Sequence, residues 1–99
     1  MIVVDTSIIP MPGKNAECVA LVKEAVAYLD QRWPLSPPRM ATVDLVDGRV
    51  HIIAMRASLA EHEPVQAEQQ ADAGLQGLLQ KGAALTVPGS SRSTYSRVL

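Results

Sequence analysis

Asp44 and His51 carry the clearest chemical signal in the chain. They flank Asp47-Gly48, a dipeptide that favours two-residue hairpin turns between β-branched runs. With a two-residue turn, Asp44 stands directly across from His51, with β-carbons about 5 Å apart. A carboxylate beside an imidazole orients the ring and raises its basicity, which is how a general base is positioned. The expected catalytic pair is therefore His51 as base and Asp44 as its orienter. Asp5 and Ser7 on the first strand share that face if the first strand neighbours the third. With Thr42, Arg49 and Met55 they form the expected substrate contacts. An ordinary cross-strand ion pair, or polar residues satisfying each other at a dimer interface, explains the same spacing, and no nucleophile accompanies it.

Other reactive side chains favour blander roles. Ser7, His51 and Asp44 make a triad on paper, yet the sharp strand-to-helix elbow that exposes a catalytic serine is missing. His62 reads as a solvated first-turn residue of a helix, and Cys18 as a small core residue on a buried stripe. The two histidines lie on different elements with no metal-ligand spacing. Gly89-Ser90-Ser91-Arg92 reads as a polar loop rather than an anion nest. Met40 and Met55 read as packing residues of the inner face.

The elements that must position these residues follow from periodicity. Ile2–Ile9 is a β-branched run closed by Pro10, Pro12 and Gly13, hence a strand and a turn. From Lys14 to Arg32, Cys18, Leu21, Val22, Ala25 and Leu29 recur at helical spacing, with Asn15 as the expected N-cap and Trp33-Pro34 as the stop. Ala41–Val46 and Arg49–Ala57 are the hairpin strands. One face carries Ala41, Val43, Leu45, Val50, Ile52 and Ala54; the other carries Thr42, Asp44, Val46, Arg49, His51, Ile53 and Met55. Ser58-Leu59-Ala60-Glu61 matches a capping box that opens a second helix. Pro64, Gly74 and Gly77 predict a bent or two-part helix, with Asp72 capping the second part and Gly82 ending it. Thr94–Leu99 completes the series as a short strand.

The order is β-α-β-β-α-β, an α+β fold whose antiparallel sheet carries both helices on one face. The opposite face, with Ile53 and Met55 on it, has no cover from this chain, which calls for a second subunit. Composition points the same way. The chain has 99 residues, 47% hydrophobic but only 3% aromatic, with no Phe. A chain of this size forms one domain, residues 1–99, and buries roughly 64% of its extended surface, so a core of small aliphatic side chains is thin. The net charge of −1, with scattered Arg and Lys, excludes a nucleic-acid face or an anionic-membrane surface. The single Cys18 excludes an internal disulfide framework and fits a reducing, cytoplasmic setting. Met1–Pro10 lacks a basic leader region, and no run is long enough to span a bilayer.

The pattern resembles the dimeric α/β-barrel superfamily, and within it the antibiotic-biosynthesis-monooxygenase and NIPSNAP-like small proteins. The resemblance rests on Pro12-Gly13-Lys14 before helix one, the Asp47-Gly48-Arg49-Val50 hairpin and Ser58-Leu59-Ala60-Glu61. Val87-Pro88-Gly89-Ser90 before Arg97-Val98-Leu99 completes it. It spans nearly the whole chain and consists of structural punctuation, so it speaks to fold more than to chemistry. It implies a ferredoxin-like subunit in a homodimeric barrel, with a small organic ligand between sheet and helices or inside the barrel, and no cofactor. The haem-degrading pattern of that superfamily is not met. The first strand has Asp5, Thr6 and Ser7 in place of Asn, the only Trp is Trp33 at the end of helix one, and His62 comes too early in helix two. The functional expectation is a small-molecule enzyme of the cofactor-independent monooxygenase-like superfamily, with His51 as base. The alternative is a non-catalytic homodimeric binding or interaction module. An open volume beside His51 would favour the first.

Overall fold

The computed structural model describes every residue from Met1 to Leu99. The β-branched N-terminal run forms β1 (Ile2–Ile8), and the helical stripe forms α1 (Asn15–Arg32). The hairpin strands are β2 (Met40–Val43) and β3 (Val50–Arg56). The second helical region divides into α2 (Leu59–Ala71) and α3 (Ala73–Ala83), and β4 (Arg92–Arg97) closes the chain. The strands make one antiparallel sheet in the order β2-β3-β1-β4, a ferredoxin-like α+β arrangement. All helices lie on one face of it.

Local signals explain most boundaries. Ser58 Oγ accepts from the Glu61 amide at 3.2 Å and starts α2 as the capping box predicts. Asp72 ends α2 and caps α3, its carboxylate accepting from the Leu75 amide at 2.9 Å, so the two-part helix is confirmed. Asn15 is not a cap: Lys14 occupies that position without a side-chain bond, and Asn15 is the first helical residue. Asp72 also receives the Tyr28 hydroxyl and the Arg32 guanidinium, while Trp33 Nε1 donates to Glu68 at 2.9 Å. These side chains tie the end of α1 to α2 and to the start of α3.

The helix face of the sheet presents Ile2, Val4, Thr6 and Ile8 of β1 beside Val50, Ile52, Ala54 and Arg56 of β3. Cys18, Val22, Ala25 and Leu29 of α1 are buried, as the stripe predicts. The core forms two small clusters, Ile2 with Val4 and Ala54, and Cys18 with Val22 and Val50. Only 16 of 99 residues are buried, so the core is as thin as the missing aromatics implied. No helix is long and apolar enough to cross a membrane.

Candidate functional site

The hairpin departs from the two-residue turn, and with it the Asp44–His51 pair is lost. Asp44 N donates to the Arg49 carbonyl at 2.8 Å, so the loop is Leu45-Val46-Asp47-Gly48. Gly48 N donates to the Asp44 carbonyl at 2.9 Å, and Gly48 takes φ +74, a conformation that side chains with a Cβ rarely adopt. The Asp44 carboxylate turns onto its own loop, accepting from Val46 N at 2.8 Å and Asp47 N at 3.4 Å. Short polar side chains offer the backbone such local bonds, and here they outcompete a cross-strand partner. The same two amides hold the Asp44 carboxyl below the usual carboxylate range. Leu45 and Val46, expected on strand faces, are instead 98% and 97% exposed in the loop.

Thr42, not Asp44, stands opposite His51. The loop grew by an even number of residues, so every remaining strand residue kept its expected face. His51 finds its carboxylate on the other side: Nδ1 lies 2.8 Å from Asp5 Oδ1 on β1. Asp5, not Asp44, is thus the carboxylate beside the imidazole. The Nε2 atom of His51 has no protein partner. Ser7 Oγ accepts from Arg49 Nη1 at 3.0 Å, and the same nitrogen donates to the Ser90 carbonyl at 2.9 Å. Arg49 therefore straps β3 to β1 and to the loop before β4. Met55 lies on this open face opposite Val3. Strand register thus brings Asp5, Ser7, Thr42, Arg49, His51 and Met55 to one face and leaves Asp44 in the loop at its edge.

The open volume lies elsewhere. A cavity of about 520 Å³ sits on the helix side, between the sheet, α1, α3 and the loop that follows α3. Ile8, Val50 and Ile52 form its floor, Val22 and Ala25 of α1 one wall, and Leu78 of α3 the other. Thr6, Thr86 and Ser91 supply hydroxyls. None of the sequence-predicted site residues reaches it, because their side chains project from the opposite face. The resemblance placed a ligand between sheet and helices, but the site residues singled out in the sequence include none of this lining. Its signal was the run of small residues, Ala25, Gly82, Ala83 and Gly89, where a filled core would carry larger side chains.

His62 is the second correction. It is buried rather than solvated, lying edge-on to Tyr95 with centroids 5.7 Å apart. Burial, then the Arg56 charge, pushes its imidazole below the ordinary histidine range. Cys18 is buried and free as expected, and burial pushes its thiol up. No three metal-binding side chains converge on one point.

No protein-family model matches the sequence, and no curated protein does. Solved structures do match. An antibiotic biosynthesis monooxygenase superposes with a TM-score of 0.76 at 18% identity, over 100% of this chain and 99% of that one. The chain has that ferredoxin-like fold. A NIPSNAP family protein from Agrobacterium tumefaciens gives 0.78 at 19% identity, over 99% and 92% of the two chains. Rv0793 from Mycobacterium tuberculosis gives 0.74 at 11% identity, over 99% and 94%. The ferredoxin-like fold expected from the sequence therefore holds across the whole chain. Identities this low speak to fold alone.

Proposed function

We propose that this chain binds a small, neutral, largely apolar organic molecule in the helix-side cavity of a monooxygenase-like fold. The cavity itself carries the reading. Its volume of about 520 Å³ falls in the range of small-molecule sites, and ten of its sixteen lining residues are hydrophobic. None of the sixteen is ionisable, so a charged ligand would lose its hydration without gaining a partner. The three hydroxyls suit a ligand with a few oxygen functions. That one fold neighbour is an antibiotic biosynthesis monooxygenase supports a small organic compound as the occupant. The half-exposed apolar residues of the open face, Val3, Ile53 and Met55, support closure of that face against a second copy.

A second reading is favoured by the Asp5–His51 contact at 2.8 Å. Asp5 orients the ring through Nδ1, and Nε2 is left to take a proton from a substrate held on the open face. Closure of a homodimer over that face would exclude water from the imidazole. This reading makes the chain an enzyme with His51 as base, Asp5 as orienter and Thr42 beside them.

One titration separates the two. Amide and methyl NMR shifts are followed while a neutral bicyclic aromatic such as 1-naphthol is added, with light scattering giving the mass of the species. Saturable shifts at Ile8, Ile52 and Leu78 are expected, on a particle of twice the 10.6 kDa chain mass. Shifts centred on His51 and Met55 would replace the first reading by the second. No saturable shift at either place would overturn both, and a monomer would remove the closed face.

A further inference from the structure

Four buried side-chain N or O atoms in this protein lack a hydrogen-bond partner, and all four are nitrogens of three residues: Arg39 Nη2, Arg56 Nε, and His62 Nδ1 and Nε2. Buried polar atoms are almost always paired, so orphans confined to one cluster call for a missing partner. The three residues are 7%, 6% and 7% exposed. They meet on the helix face of the sheet, at the end away from the cavity. Arg56 ends β3 opposite Ile2. Arg39 directly precedes Met40, which pairs with Ile53, and so sits level with Ala54, two positions from Arg56 on the same face. His62 comes down from the first turns of α2 onto Tyr95 of β4.

The hydrogen bonds do not balance among these groups. Arg39 has one carboxylate, Asp30 at 2.8 Å from Nη1, and the same nitrogen donates to the Trp33 carbonyl at 2.7 Å. Its second terminal nitrogen is empty-handed. Arg56 makes no side-chain hydrogen bond at all; Glu61 and Glu63 on α2 lend charge to Arg56 and His62 respectively, but neither bonds to them. The Arg39 charge reaches Arg56, and both arginines act on His62. A guanidinium presenting its Nε edge offers a planar fork that matches two oxygens of a carboxylate or phosphate.

We propose that Arg39, Arg56 and His62 form a binding site for an oxyanion, a carboxylate or phosphate group, separate from the apolar cavity. The anion would accept from Arg56 Nε and Arg39 Nη2, with an imidazole N–H of His62 as a third donor. It would supply the hydrogen-bond acceptors that Asp30, Glu61 and Glu63 do not. Sequence reading set His62 aside as solvated and did not single out either arginine, because only the tertiary fold brings a loop, a strand end and a helix start together.

The test uses the full chain in its native form. Unfolding is followed in sodium chloride, then with inorganic phosphate or acetate replacing chloride at constant ionic strength, for the wild type and for Arg56→Met. Phosphate also stabilises proteins generally through exclusion from their surface, and the variant shares that effect. The expected result is a saturable rise in Tm for the wild type that exceeds the variant's, with affinity reduced at least tenfold by Arg56→Met. A response to phosphate alone assigns a tetrahedral oxyanion, and one to acetate alone assigns a carboxylate. Equal responses in wild type and variant, or no response to either anion, would overturn the site. Should Arg56→Met fail to fold, the Arg56 Nε–H resonance of the wild type answers the same question. Saturable movement with phosphate or acetate supports the site, and a static resonance refutes it.

Discussion

Replacing Gly82 by leucine should close the helix-side cavity while leaving the protein better folded than before. Gly82 is the next-to-last residue of α3 and lines the cavity. A Cβ placed there meets only Leu21 Cδ2, at 3.4 Å, which is ordinary contact. Its backbone is not in the left-handed region, so no strain opposes a side chain. Glycine to leucine in a helix interior gains about 0.8 kcal/mol, and about half of that at a fraying last turn. Full burial of a leucine side chain is worth about 1.5–3 kcal/mol, and partial burial in the cavity mouth about 1. The sum is about 1–1.5 kcal/mol of added stability, or a Tm rise of roughly 4–12 °C for a domain of this size. The same side chain occupies the space of the ligand, so affinity for 1-naphthol should fall at least about tenfold, which is about 1.4 kcal/mol. Thermal melts by circular dichroism and the NMR titration read the two quantities on one sample. A stabilised variant that binds 1-naphthol as the wild type does would show that the probe sits elsewhere. A variant destabilised by more than about 1 kcal/mol would show that the mouth is already filled.

Two further outcomes test how the helices are joined. Gly74→Ala should destabilise the protein by about 1 kcal/mol, although glycine to alanine in a helix ordinarily stabilises by about that much. The new Cβ would run into the Tyr28 hydroxyl and within 2.8 Å of its ring carbon Cζ. In a Tyr28→Ala background the same substitution should become stabilising, and a urea-denaturation cycle that shows no such reversal removes the clash as its cause. The Asp72 carboxyl is held below its ordinary range by the Tyr28 hydroxyl first, then by the Leu75 amide and Arg32. A folded-state pKa below the unfolded one contributes stability that is complete above about pH 4 and lost as pH falls through the folded value. Urea midpoints measured between about pH 2 and pH 6 should therefore fall more steeply for the wild type than for Asp72→Asn. Parallel curves would mean that these bonds do not favour the charged form.

The legible parts of this protein were those decided within a few residues. The α1 stripe of Cys18, Val22, Ala25 and Leu29 follows from a period of 3.6, and Ser58 and Asp72 start their helices through bonds reaching three residues ahead. The hairpin shows where that legibility stops. Asp47-Gly48 announced a turn, but its length depended on whether the Asp44 carboxylate would bond its own loop or a strand partner, and the local amides won. An even shift in register left faces intact and changed partners, so Asp5 rather than Asp44 holds His51. The face of each strand residue depends only on alternation, whereas its partner depends on register and on which strand lies beside it.

By itself the sequence determined the α+β order, the starts of α2 and α3, the buried stripe of α1 and the face on which His51 stands, because all of these rest on short-range periodicity and capping. Only the tertiary structure decided what those elements enclose. The cavity is a volume left between β3, α1 and α3 by side chains too small to fill it, and no single segment reveals a space between three. The cluster of Arg39, Arg56 and His62 is likewise a meeting of a loop, a strand end and a helix start. Its unpaired nitrogens exist only because the fold has taken water away from them.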